Sequence, residues 1–287
     1  MDFGLFLISF LSALFFAAGI VATQFGLRHL PGLVGASISV PTSAAFFLLL
    51  SPVTVGWSDW NPTSAAIFAV SGLVYPAAVT LLNFAANKRL GGDLTAALGN
   101  LTPLFAIGLA VMFLGEVPHL GQVVGIAVLF AGLGLITLAR VRSHSRAGLW
   151  LLLIPVAGAA LRGAAQPLVK TGLAGWPDAF AAATIAYLVS ASTIWTVRLS
   201  VGPRRYAIPR AGLLWFIGIG LANGMALLTL YAALNLGPVT SVAPLVATYP
   251  LITYAMNRIV LRQRSVSPLG LAGIGLSVVG VILLLVL

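Results

Sequence analysis

The sequence predicts an all-α membrane protein of ten transmembrane helices, built as two inverted five-helix repeats, on three observations. Of 287 residues, 60% are hydrophobic and 7% are charged, against roughly 45–50% and about 25% in soluble domains, so no soluble core absorbs the surplus. Apolar runs of the ~20 residues needed to cross about 30 Å of hydrocarbon follow one another with only short breaks. The second half of the chain also repeats landmarks of the first at a nearly constant offset.

Taken in order, the apolar windows are 3–27, 31–51, 63–86, 94–113, 120–139, 148–170, 178–198, 211–233, 239–257 and 266–287. The first starts directly after Met1 and Asp2 without the positive n-region of a secretory signal, and is expected to stay as a membrane helix. Isolated strands cannot span lipid, and the alternation of a membrane barrel is absent from these windows. Trp57, Trp60, Trp150, Trp176 and Trp215 fall near window ends, where an interfacial aromatic belt would place them.

The repeat rests on several matches. Leu27 and Pro31 recur as Leu173 and Pro177, Phe84-Ala85-Ala86 as Tyr231-Ala232-Ala233, Pro103-Leu104 as Pro250-Leu251, and Gly125 and Gly132 as Gly273 and Gly280. The expected division is 1–139 for the first repeat, 140–147 for a basic cytoplasmic linker and 148–287 for the second. Five helices is an odd number, so the second repeat must lie upside down relative to the first.

Charge tests the inversion independently. Loops after the odd-numbered spans hold 13 of the 15 Lys and Arg residues, whereas Asp59, Glu116 and Asp178 lie on the other side. The positive-inside rule then makes the first set cytoplasmic and turns both termini outward, to the periplasm in a bacterial-type inner membrane. The net charge of +10 has the same explanation. No Lys/Arg face with interleaved aromatics exists to track phosphates, which argues against a nucleic-acid partner and leaves the lipid bilayer and a small solute. Oligomeric state is not legible, and a monomer is compatible with the sequence.

Chemistry inside the spans is sparse. Arg162 lies near the middle of the sixth span, where a charge costs at least about 2.5–3.5 kcal/mol unless it meets water or a partner. Gln166 and Lys170 follow at one and two further turns on the same face. Arg162 therefore either lines a cavity and holds a substrate anion or snorkels and bonds carbonyls. Pro76, Pro103, Pro155, Pro167, Pro244 and Pro250 fall inside spans, where proline frees a carbonyl. Pro103 and Pro250 are matched between the repeats, as the broken helices of a transporter site would be. Tyr75, Asn83, Asn100, Asn223, Tyr231 and Tyr249 cluster around these breaks. Together they offer amides and hydroxyls to a zwitterion and aromatic faces to its side chain, or else they bond neighbouring helices. Gly125, Gly132, Gly134, Gly273 and Gly280 read as close-packing surfaces.

The stretches Tyr231-Ala232-Ala233-Leu234-Asn235-Leu236-Gly237-Pro238, Ser241-Val242-Ala243-Pro244-Leu245 and Tyr249-Pro250-Leu251 resemble the second repeat of an EamA-type permease of the drug/metabolite transporter superfamily. Pro103-Leu104-Phe105 and Leu114-Gly115-Glu116 resemble the first repeat, while Arg262-Gln263 departs from the Leu-Gly-Glu pattern in the second. The resemblance implies a ten-helix carrier with a central cavity between spans 1, 3, 4, 6, 8 and 9. It also implies export of small metabolites, amino acids and aromatic amino acids among them.

Other function classes fit less well. The chain has no cysteine, its histidines His29, His119 and His144 lie in loops or at helix ends, and no HExxH motif occurs, so neither an enzyme, a metal site nor a cofactor is expected. A cation-drug exporter wants an intramembrane carboxylate, and a phosphorylated-sugar exchanger wants several intramembrane cations. One arginine with amides and aromatics suits a monocarboxylate. Export of another small metabolite or drug, and a membrane protein that transports nothing, stay open at this stage.

Overall fold

The computed structural model describes residues 2–90, 92–141, 149–201, 206–260 and 268–286. Its helices are α1 (Phe3–Gly26), α2 (Gly32–Thr54), α3 (Pro62–Gly72), α4 (Val79–Leu90), α5 (Gly92–Gly99), α6 (Thr102–Leu114), α7 (Leu120–Val141), α8 (Leu153–Gly175), α9 (Ala179–Val201), α10 (Arg210–Leu236), α11 (Val239–Val246), α12 (Tyr249–Val260) and α13 (Pro268–Val286). A kinked segment, Leu73–Ala78, joins α3 to α4. No strand forms among the described residues.

Among the described residues, seven helices are long and apolar enough to cross a membrane, and Thr102–Leu114, Leu120–Leu135 and Ala272–Leu283 are shorter apolar helices. The chain is a multi-pass membrane protein. Large apolar side chains such as Phe3, Leu49, Met112, Phe113 and Leu199 stand exposed around the bundle, an arrangement stable against hydrocarbon and costly in water.

Three expected spans are interrupted, the third at Tyr75. The fourth divides into α5 and α6 at Asn100–Leu101, and the ninth into α11 and α12 at Ala247–Thr248. Pro103 and Pro250 sit in the first turn of the second half-helix in each case, not inside a continuous span. A missing N–H costs nothing in a first turn, because that amide has no partner there anyway. Pro155 likewise lies in the first turn of α8, whereas Pro167 is inside α8 and Pro244 inside α11. At Pro76 the helix is interrupted by Tyr75, whose backbone is extended (φ −146°, ψ 124°).

Packing follows the small residues. α7 and α13 run against each other, with Gly132 facing Ser277 and Gly273 and Gly280 facing the Leu129 backbone so closely that neither glycine leaves room for a Cβ. α1 packs on α10 and α12, α2 on α9 and α10, and α8 on α3, α4 and α6. Buried serines tie helices across the bundle. Ser12 donates to Ala226 O (2.8 Å), Ser43 to Gly220 O (2.7 Å) and Ser190 to Gly72 O (2.7 Å), each satisfying a hydroxyl that hydrocarbon would leave unpaired.

The two ends of the bundle differ in charge. At one end the Gly56 amide donates to Asp178 (2.9 Å), Asn235 donates to Pro177 O (3.0 Å), and Glu116 accepts from Val239 and Thr240. The other end brings Gly212 onto His29 and Leu30, Gly32 onto Phe84 and Gln24 onto Asn257 (3.3 Å), and there Arg28, Lys88, Arg89, Arg198, Arg210 and Arg258 stand at helix ends. The basic stretches at 142–148, 202–205 and 261–267, and with them most of the expected linker, lie outside the described residues. The expected tryptophan belt needs one correction. Trp176 is 1% exposed, because Trp57 and Trp60 (ring centroids 6.2 and 5.2 Å) and Phe68 pack on it.

Candidate functional site

Arg162 projects from the middle of α8, and its guanidinium carbon stands 5.2 Å from the centroid of the Tyr75 ring. That distance lies inside the range in which a ring's negative face attracts a cation. Tyr75 reaches this position because its extended backbone turns the side chain out of the α3–α4 line. The Arg162 Nε is buried and has no hydrogen-bond partner. A buried donor without an acceptor is costly and rare in folded proteins, so this nitrogen is either a strained feature or a place for a ligand.

Further tyrosines converge here. Tyr75 lies within electrostatic reach of Arg162 and Tyr249, and Tyr187 within reach of Tyr75 and Tyr231. The Tyr249 ring sits 6.2 Å from Phe16 of α1, and Tyr187 stacks on Phe47 of α2 at 5.5 Å. The Tyr254 hydroxyl is buried without a hydrogen-bond partner, and Tyr231 stands beside Ser71. Four helices, α8, α9, α10 and α12, and the α3–α4 junction thus supply Arg162 and four tyrosines, Tyr187, Tyr231 and Tyr249 each lying within electrostatic reach of Tyr75.

Gln166 is one turn beyond Arg162 on α8, 6% exposed, and its Oε1 has no partner. Nε is a donor and Oε1 an acceptor on one stripe of a helix. The pair suits a solute presenting an anion or carbonyl beside an N–H group. Asn83 packs against Gly158, one turn before Arg162. Gly163, next to Arg162, packs on Thr102 and Phe105, which sets the α5–α6 break and its buried Asn100 at the level of Arg162.

Other expected residues do not join this group. Asn223 lies against Gly19 at the α1–α10 contact. Lys170 donates to the carbonyls of Leu234 (2.6 Å) and Gly237 (3.0 Å), capping the end of α10. Sequence reading missed Tyr187. The signal was available, since it is one of only six tyrosines and lies mid-window in the seventh span. Phe16 carried no such signal, because it is one of 15 phenylalanines.

Comparison with known proteins adds three findings. Residues 2–138 match the sequence model of the EamA-like transporter family. A solved crystal structure superposes with a TM-score of 0.82 at 16% identity, covering 99% of this chain and 96% of that one, so the two share a fold. No curated protein matches the chain.

Proposed function

We propose that the whole chain, beyond the matched residues 2–138, is a carrier of the EamA-like transporter kind that exports a small metabolite across a bacterial-type inner membrane by alternating access. The solute is an amino acid in this reading, with aromatic amino acids among the candidates. One observation carries the solute class: the Arg162 Nε, buried and unpartnered under the Tyr75 ring. A carboxylate would satisfy that donor. Gln166 Oε1 would accept from the ammonium, and Tyr75, Tyr231 and Tyr249 would flank the side chain, with Asn83 and Asn100 beside them.

The packing supports an inverted-repeat organisation of ten spans. Under exchange of the two halves, the contact of α1 with α10 corresponds to that of α8 with α3 and α4, and α1 with α12 corresponds to α8 with α6. α2 with α9 and α7 with α13 are each their own counterparts. The breaks at 100–101 and 247–248 keep the offset of the sequence repeat, and half-helices facing each other across such a pair are where carriers bind solute. The basic end is the cytoplasmic one in this reading, with both termini periplasmic.

The test is counterflow in liposomes preloaded with single amino acids, nucleosides or sugars. Exchange confined to amino acids is expected. Exchange of sugars or nucleosides with no amino-acid exchange refutes the solute class, and no exchange of any solute refutes the carrier.

A further inference from the structure

We infer that Glu116 and Lys170 form a latch that holds the acidic end of the bundle closed, and that the solute path opens toward that end only when both release the α10–α11 turn. The inference rests on the carrier reading above. The turn from Leu234 to Ser241 is gripped from four directions. Glu116 accepts from the amides of Val239 and Thr240, both at 2.8 Å, at the start of α11. Lys170 Nζ donates to Leu234 O and Gly237 O at the end of α10. Gln122 of α7 donates to Ser241 Oγ at 2.8 Å, and Leu5 of α1 packs on Gly237.

The local sequence builds this grip. Gly115 takes a left-handed conformation (φ 66°) that ends α6 and turns Glu116 toward α11. The Glu116 carboxylate then meets the first amides of a helix, which carry the positive end of its dipole, while the Lys170 ammonium meets the carbonyls that end another. Such charge-assisted bonds are roughly twice as strong as neutral ones. Glu116 and Lys170 are also electrostatic neighbours.

Three of the gripping residues, Leu5, Glu116 and Gln122, belong to the first half of the chain and the gripped turn to the second. Any rocking of one half against the other that opens this end must therefore break these contacts. Lys170 is two turns from Arg162 on the same helix, about 12 Å along its axis, with Pro167 between them as a natural bending point. Solute occupancy at Arg162 and release at Lys170 thus share one lever.

The experiment uses the absence of native cysteine. Ala243→Cys, a site 2% exposed in α11 behind the latch, is labelled with a bulky maleimide in detergent, where both ends are accessible. Glu116→Gln and Lys170→Met should each raise the labelling rate about tenfold, as the loss of a charge-assisted bond implies. Gln122→Ala, at a half-exposed position, should raise it severalfold and guards against a variant that fails to fold. Rates within twofold of the parent in all the variants that purify as single species overturn the latch. The labelling needs no flux, so a wild type inactive in liposomes refutes the carrier reading separately.

Discussion

The Arg162 guanidinium lies against the Tyr75 ring and has an unsatisfied Nε, and in the proposed role its acceptor arrives with the solute. Arg162→Gln should weaken apparent solute affinity by about ten- to a hundredfold, the range for losing a hydrogen bond to a charged group, while leaving the thermal unfolding temperature in detergent nearly unchanged. Arg162→Lys should recover only part of the loss, because an ammonium lacks the planar fork that matches a carboxylate. Amino-acid amides should compete poorly with free amino acids. Wild-type flux in Arg162→Gln would make the residue structural. That Arg162 mattered was legible, since a mid-span charge stands out against a 7% charged background. That it lies under Tyr75 was not legible, because the contact depends on one extended residue between α3 and α4.

At the scale of elements, helix contact through glycine makes a sharp stability prediction. Gly280→Val drives a branched side chain into the Leu129 backbone, and overpacking of this kind costs about 1–3 kcal/mol. A lowered unfolding temperature in detergent checks it, and Gly134→Ala, with open space at its Cβ, serves as the neutral control. Proline behaves in the opposite sense. Pro103→Ala and Pro250→Ala should each change stability by less than about 1 kcal/mol, because first-turn proline removes no helix bond. The paired prolines did mark the paired breaks, but each break falls two to three residues before its proline, a displacement that follows from where proline is tolerated.

For the whole molecule, orientation and energy source are open to direct measurement. Single cysteines at Ser58 and Ser143 in intact cells should label with an impermeant thiol reagent at Ser58 and not at Ser143; the reverse pattern would invert the proposed topology. All five acidic residues, Asp2, Asp59, Asp93, Glu116 and Asp178, lie at or beyond span ends, leaving no mid-span carboxylate to carry a proton. Transport should therefore follow the solute gradient, and a pH gradient alone across a liposome should drive no accumulation. Uphill accumulation that collapses with a protonophore would point to Asp93 or to Glu116 in its latch.

Composition and hydropathy determined by themselves that this chain is a helical membrane protein, where its apolar helices run and which loops carry positive charge. These follow from local physics: the hydrocarbon demands apolar length and internal backbone bonding, and both are written in contiguous residues. The tertiary structure decided which polar side chains meet. It brought Tyr187 into the tyrosine group, set Lys170 to cap α10, and gave Glu116 the first amides of α11. None of these pairings is local. Each joins residues far apart in sequence, through helix rotations set by glycine and serine contacts between spans, and one sequence read along its length carries no term for them.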